Sequence, residues 1–478
     1  VCFCVSSFPL LREAHLSGRS EGKGHGTLEK VRESTGLCTP SSRNGYPKHM
    51  GALMLWIYRI LMTVLMPIAI GFLALRDRLI GKQRPPWSER FVRRLPTAEP
   101  GGLWIHAVSV GEVEVARRLI AELDRKAPGG PIALTSTTAT GLALARKNLA
   151  DRVTVLPTPV DLPGPVERIF DALRPRALVL VETELWPEML HQAGRRGIPV
   201  FIVNARLSDV SFKRYRRVAG ALRPLLKPLS LVLTRDETDA QRFKDLGIEG
   251  QRVTVGGNVK YDLESDRRPL EWDDEIASWA AGRPVVVAGS TLEGEEQLVL
   301  DAVEAIAESD GQRPLVILAP RHPERFDAVA RLISERGLTL IRRSRLPDGV
   351  MAVADVFLLD TIGELARAFR HGAVAFIGGS LVPSGGHNPL EPAAWGVPVL
   401  SGPWVANFEE IYREMVEAGA VRLVANSRDL GAALDQWLSE PDVARRAGEA
   451  GRRVVEKNRG ATARITAEIV RRLNGIEE

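Results

Sequence analysis

The residues of this chain able to do chemistry sit in short stretches that follow runs of Val, Ile and Leu. Four stretches pair a capping residue with a glutamate three places later: Ser109 with Glu112, Ser290 with Glu293, Thr361 with Glu364, and Asn388 with Glu391. Taken singly, each reads as a capping box that satisfies the orphan amides of a helix start. Taken together, they predict positive helix ends gathered around one region, suited to an anionic ligand. Glu182 and Glu184 of ETELWP close the run ALVLV. Two partly desolvated carboxylates at a strand end suit acid/base or electrostatic work, unless one of them only caps the next helix. Arg321 and His322 of LAPRHPERF follow another apolar run, where a guanidinium either grips a phosphate or is a surface arginine before a Pro-started helix. Lys260 in GGNVKYD reaches toward the same region or is simply solvated.

One stretch combines several of these signals: GGSLVPSGGHNPLEPAAWGVPVL, residues 378–400. VAFI before it reads as a buried strand and the glycines as a loop. Asn388 suits the N-cap, Pro389 the first helical position, and Glu391 the third residue after the cap. Gly396 then stops the helix. Such a turn points backbone N–H groups at a ligand carrying acceptor oxygens or negative charge.

The elements that must position these residues alternate strand and helix. WIHAV, IALTS, VTVLP, ALVLVE, PVFIVN and SLVLT are strand candidates of a first half, and PVVVAG, LVILAP, VFLLD, VAFIGG, VPVLSGP and VRLVA those of a second. Continuous apolar runs separated by helices predict parallel sheets covered on both faces. Ligands of such sheets bind beyond the carboxyl ends of the strands, so the fold expected is two Rossmann-like domains facing a central cleft. The acidic stretch 261–275 reads as part of a hinge. The dinucleotide fingerprint G-x-G-x-x-G is absent, as are C-x-x-C, H-E-x-x-H and a D-x-D after an apolar strand, which disfavours NAD, FAD and a metal cofactor.

Composition sets the remaining bounds. The chain has 478 residues and a net charge of +5, without a dense Lys/Arg block interleaved with aromatics, so it carries no nucleic-acid footprint. All three cysteines precede Met50, which leaves neither a disulfide frame nor a cysteine metal site in the body. Residues 1–49 lack periodicity and read as a leader or upstream extension, with Met50 as the functional start. The segment 51–75, GALMLWIYRILMTVLMPIAIGFLAL, is apolar apart from Arg59. It exceeds the roughly 20 residues that cross a bilayer. Arg59 and Pro67 count against crossing, since a central charge costs about 2.5–3.5 kcal/mol on insertion. A monotopic or tilted anchor stands beside the spanning reading. A buried core helix is disfavoured by Trp56, Tyr58 and the basic residues Arg76, Arg78, Lys82 and Arg84, which keep the body cytoplasmic. The expected domains are thus an anchor at 50–76, a first domain at 77–258, a hinge at 259–283 and a second domain at 284–478.

HAVSVGE, TSTTATG, ETELWP, NARLS, GNVKYD, STLEGEE, APRHPERF, DTIGEL and GGSLVPSGGHNPLEPA occur here in that order. From Met50 onward the chain resembles the 3-deoxy-D-manno-octulosonic acid (Kdo) transferases of lipid A assembly. The resemblance implies an α/β fold of GT-B type with an N-terminal anchor and no cofactor. It further implies inverting, metal-independent transfer of Kdo from CMP-Kdo to the lipid A precursor lipid IVA, at the cytoplasmic face of the inner membrane. By motif, Glu112 is the implied proton acceptor, and Glu182 and Lys260 the implied transition-state stabilisers. Pro320, Arg321, Ile362, Gly363, Glu364, Asn388, Pro389, Leu390 and Glu391 match donor-binding positions. Ser290, Arg206, His322 and Glu184 stand beside them as further candidates. Two alternatives are another nucleotide-sugar transferase or 2-epimerase of the same architecture, and a non-catalytic lipid-binding protein on the same fold.

Overall fold

A computed structural model describes residues 49–79, 87–127, 130–263, 266–310, 313–346 and 353–477. The expected leader, apart from its last residue, lies outside them, as do Lys82 and Arg84. The chain divides into two compact units, one running to Gly257 and resuming at Thr462, the other spanning Asn258–Ala461.

The first unit is built on a parallel sheet of β1 (Leu103–Ala107), β2 (Ile132–Ser136), β3 (Thr154–Pro157), β4 (Ala177–Val181), β5 (Val200–Ala205), β6 (Leu229–Thr234) and β7 (Val253–Val255). Their order is β3-β2-β1-β4-β5-β6-β7. Leu103 of β1 lies opposite Ile132 on one side and Ala177 on the other. All five residues of ALVLV in β4 are buried, as a strand covered on both faces requires. The strand order reverses between β1 and β4, so the loops leaving these two strands flank the crevice where such sheets bind ligands.

The second unit repeats the plan with β8 (Val285–Thr291), β9 (Leu315–Pro320), β10 (Leu340–Arg342), β11 (Val356–Leu358), β12 (Val374–Ile377), β13 (Val399–Ser401) and β14 (Val421–Leu423). The order β10-β11-β9-β8-β12-β13-β14 reverses between β8 and β12. The strands β7 and β10 escaped the sequence reading. Each is three residues long and lies at a sheet edge.

The expected domain boundaries differ from these units at both ends. Residues 259–283, expected as a hinge, belong to the second unit, where Leu270, Trp272, Ile276 and Trp279 are buried in its core. Trp272 and Trp279 both pack on Phe357 with ring centroids 4.8 Å away. The C-terminal helix Ala461–Glu477 returns to the first unit from Thr462 onward. There Ile465 is buried and Arg464 donates to the Gly256 carbonyl at 3.2 Å.

Before the first sheet runs the apolar helix His49–Leu79, of which Ala52–Leu73 is long and apolar enough to cross a bilayer. One stripe of it, Leu55, Tyr58 and Met62, is buried with Leu225 of the first unit. The three- and four-residue spacing is that of a helix face. Leu53, Trp56, Ile57, Val64, Ile68, Phe72 and Leu75 are exposed.

Candidate active site

In the first unit, β1 ends at Ala107 and Ser109 caps the helix Val110–Lys126. The cap forms because the Ser109 Oγ accepts the Glu112 N–H at 3.4 Å. The Glu112 carboxylate folds back, accepting the Val108 N–H on Oε2 at 2.7 Å and the Ser109 hydroxyl on Oε1 at 2.8 Å. Val113, Ala116, Leu119, Ile120 and Leu123 bury the helix on the sheet, and Glu112 is buried with them at 6% exposure. Burial, and then the negative charges of Glu184 and Glu182, push Glu112 up to about 8. A carboxyl held neutral near pH 7 and able to ionise just above it suits proton transfer.

The loop after β4 carries the other two carboxylates. Glu182 follows the strand with φ of 61°, a left-handed conformation that costs a non-glycine residue about 1–3 kcal/mol. It is held there by its N–H to the Val203 carbonyl at 2.9 Å and by an ion pair with Arg235, whose side chain is 5% exposed. Glu184 is buried and accepts the Trp186 indole N–H at 3.1 Å. Trp186 stands edge-on to His106, a fully buried β1 residue that burial holds down at about 3 and therefore neutral. Arg206 contributes through its backbone: its N–H donates to the Thr183 hydroxyl at 3.1 Å, and that hydroxyl donates back to its carbonyl. The loops after β4 and β5 are thereby tied together.

In the second unit the expected donor residues gather at the carboxyl ends of β8, β9, β11 and β12. Pro320 ends β9, and the Arg321 N–H donates to Thr291 at the end of β8 (2.9 Å), leaving its side chain exposed. Ile362 and Gly363 are exposed at the tip after β11, Gly363 at φ of 97°. Glu364 is buried beneath them. It accepts the Trp272 indole N–H at 3.3 Å and the Arg343 guanidinium at 3.1 Å. The Asn388 Oδ1 accepts the Leu390 N–H at 3.1 Å and its amide donates to Glu391 at 3.3 Å. The helix itself begins at Leu390, one residue later than expected, and Gly396 follows its end at φ of 76°. Lys260, at the start of this unit, lies 4.8 Å from the centre of the Phe408 ring and donates to the Asn407 carbonyl at 3.4 Å. The Asn407 side chain in turn donates to the Ser384 and Gly386 carbonyls, so Lys260 stands beside the glycine loop.

The expectation of four capping boxes holds for Ser109–Glu112, holds in part for Asn388–Glu391, whose side chains pair at the start of their short helix, and needs correction at Ser290 and Thr361. Ser290 is not a cap: it sits at φ of 57° where the β8–β9 register shifts, and Gly294 at φ of 90° delays the helix until Glu295. Thr361 donates to Glu364 but no side chain caps the helix Leu365–Ala368. Helices of four and five residues after β11 and β12 carry little dipole.

The amides of the glycine loop are also spoken for. Gly379, Ser380 and Leu381 donate their N–H groups to Glu295 at 2.6, 2.9 and 2.8 Å, and Leu292 donates a fourth at 2.9 Å. The fully buried Glu295 carboxylate thus occupies the position of the expected external anion. A Cβ on Gly378 would come within 2.6 Å of the Ser290 carbonyl oxygen, so only glycine admits this approach. The next residue, Glu296, pairs with Arg325 at 2.6 Å and accepts the Thr291 hydroxyl at 3.0 Å. Two adjacent glutamates after β8 therefore brace the loops of both neighbouring strands.

Sequence reasoning missed Arg235, Glu295 and His387. Arg235 follows β6 as Arg321 follows β9, a signal that was legible. Glu295 was hidden by taking the helix start at Ser290. His387 packs where a Cβ on Gly379 would lie, its Nε2 buried without a protein partner. Burial, and then the charges of Arg321 and His322, hold it down at about 4. Among the described residues, no three His, Cys, Asp or Glu side chains are grouped to hold a metal ion.

Two doubly wound α/β units, each with polar loops at its strand switch point, define the two-domain GT-B class of nucleotide-sugar enzymes. A UDP-GlcNAc 2-epimerase from Neisseria meningitidis shares this fold at 13% identity, with TM-score 0.50 over 78% of this chain and 99% of that one. Residues 85–263 match the family model of 3-deoxy-D-manno-octulosonic-acid transferases. The enzyme of that name from Haemophilus influenzae is 35% identical over 86% of this chain and 96% of its own. That from Bordetella pertussis is 33% identical over 85% and 97%. This chain belongs to the 3-deoxy-D-manno-octulosonic acid transferase family, and it is a glycosyltransferase that transfers Kdo in lipopolysaccharide biosynthesis.

Proposed function

We propose that the enzyme takes Kdo from CMP-Kdo and attaches it to a hydroxyl of lipid IVA, by direct inverting displacement without a metal ion. The observation that carries this reading is Glu112, a buried carboxyl at the end of β1 whose proton affinity is raised by its surroundings. Ionised, it accepts the proton of the acceptor hydroxyl as that oxygen attacks the anomeric carbon and the bond to the CMP phosphate breaks. Glu182, held by Arg235, is the carboxylate we assign to stabilising the positive charge that develops at the anomeric carbon. Arg321, His322 and Lys260 offer positive charge or N–H donors to the departing phosphate. Asn388 and Glu391, joined by a hydrogen bond, are the partners we assign to the ribose hydroxyls, and the backbone of Ile362 and Gly363 is assigned to the base. Pro320, Pro389 and Leu390 shape that site, and Glu364 supports it from below.

The apolar helix supports membrane attachment on the cytoplasmic side. Its exposed face carries Trp56, Ile57, Val64, Ile68 and Phe72, and its last turn Arg76 and Arg78. Because another stripe of the same helix is occupied by the body, we read it as lying in the interface rather than crossing the bilayer. Mass analysis of products from CMP-Kdo and lipid IVA in detergent tests the reaction. A product one Kdo or more heavier, formed at the same rate with EDTA, is the expected result. No mass gain, or loss of transfer on chelation, overturns the proposal.

A further inference from the structure

Two polar side chains, Tyr58 in the buried stripe of the apolar helix and Arg59 beside it, reach the same place. The Tyr58 hydroxyl donates to Asp161 Oδ2 at 2.7 Å. The Arg59 guanidinium donates to both oxygens of Glu188, at 2.8 and 3.0 Å. Glu188 is wholly buried and Asp161 is 1% exposed. Asp161 also accepts the N–H groups of Glu188 and Met189, each at 3.0 Å. It thereby caps the helix Pro187–Arg195, whose own N-cap residue, Trp186, supplies no side-chain cap. That helix begins where the loop bearing Glu182 and Glu184 ends.

We propose that Tyr58 and Arg59 are positioning residues, through which docking of the apolar helix sets the loop Glu182–Trp186. The helix is then a working part of the acceptor side of the enzyme as well as an attachment. The inference rests on the roles given above to Glu112, Glu182 and Glu184. Its physical basis is the cost of leaving Glu188 buried without its cation. The carboxylate must then take up a proton or turn toward water, and turning rotates the first turn of its helix. Trp186 and Glu184 move with that turn, and Glu184 is one of the two charges that raise Glu112.

The test uses the full chain in detergent micelles, with CMP-Kdo and lipid IVA. Arg59→Met should lower kcat about tenfold or more while KM for either substrate changes less than about twofold, since misplacement of reacting groups acts on turnover. The double variant Arg59→Met/Glu188→Gln removes the stranded charge and should recover most of that kcat. Unchanged kcat in Arg59→Met, or no recovery in a folded double variant, overturns the inference. If Arg59→Met does not fold, Tyr58→Phe decides: reduced kcat in an enzyme that still melts cooperatively above the assay temperature is expected, and wild-type kcat refutes. Glu112→Gln, run alongside, separates the two levels. A Glu112→Gln enzyme at the wild-type rate sinks the reading of the site itself; loss there with full activity in Arg59→Met sinks only the docking proposal.

Discussion

Replacing Glu184 with Gln should move the pH dependence of transfer without touching Glu112. Glu112 is pushed up to about 8, first by burial, next by Glu184 and then by Glu182. At that value roughly a tenth of it is ionised at pH 7, so kcat/KM should rise about tenfold per unit below pH 7, about fivefold from pH 7 to 8, and level off above. Gln keeps the shape of Glu184, and its carbonyl still accepts the Trp186 indole. Only a like charge is lost, which lowers the Glu112 pKa. The ionised fraction at pH 7 then grows from roughly a tenth, a gain of at most about tenfold, partly offset because a weaker base accepts a proton less readily. The assay is kcat/KM for the acceptor between pH 5.5 and 9.5 at saturating CMP-Kdo (limits set by enzyme stability, on the order of the range over which carboxyl shifts are read). An acid limb that stays in place in Glu184→Gln, or that survives in Glu112→Gln, refutes the assignment of that limb to Glu112.

Three further outcomes follow from the same contacts. Glu112→Gln should be more stable than the wild type, by a margin that widens as pH rises from the unfolded carboxyl pKa toward 8. Over that window the folded carboxyl keeps a proton that the unfolded one has lost, and thermal melts across pH will show it. Glu295→Gln should lower stability by about 1–3 kcal/mol and raise KM for CMP-Kdo, because an amide NH₂ then faces N–H groups that had a carboxylate acceptor. A melt within about 1 °C of wild type would contradict this, since even 1 kcal/mol moves Tm by about 2–4 °C in chains of 150–250 residues. Arg235→Met should reduce kcat by about 10–100-fold with the donor KM little changed, by unpairing Glu182; equal losses in both parameters would mean that Arg235 serves binding instead.

Much of the plan was present in the order of residues. Apolar runs such as ALVLV and LVILAP have no solvent face, so they specify strands buried on both sides, and the helices between them specify parallel pairing. Ser109 and Glu112 lie within one helical turn, so their cap is a local matter and was legible. Gly396 ends its helix for an equally local reason, since a left-handed residue is needed there. The tertiary structure decided whatever depends on partners far along the chain. Glu295 is set by amides more than eighty residues away, and Glu188 by a guanidinium 129 residues earlier in the chain. The raised proton affinity of Glu112 needs the loop after β4 brought beside the loop after β1, which only sheet order accomplishes. Sequence spacing encodes contacts within a turn of helix or a pleat of strand. Desolvation and like-charge repulsion act through space, and they come into being only when the sheet has closed.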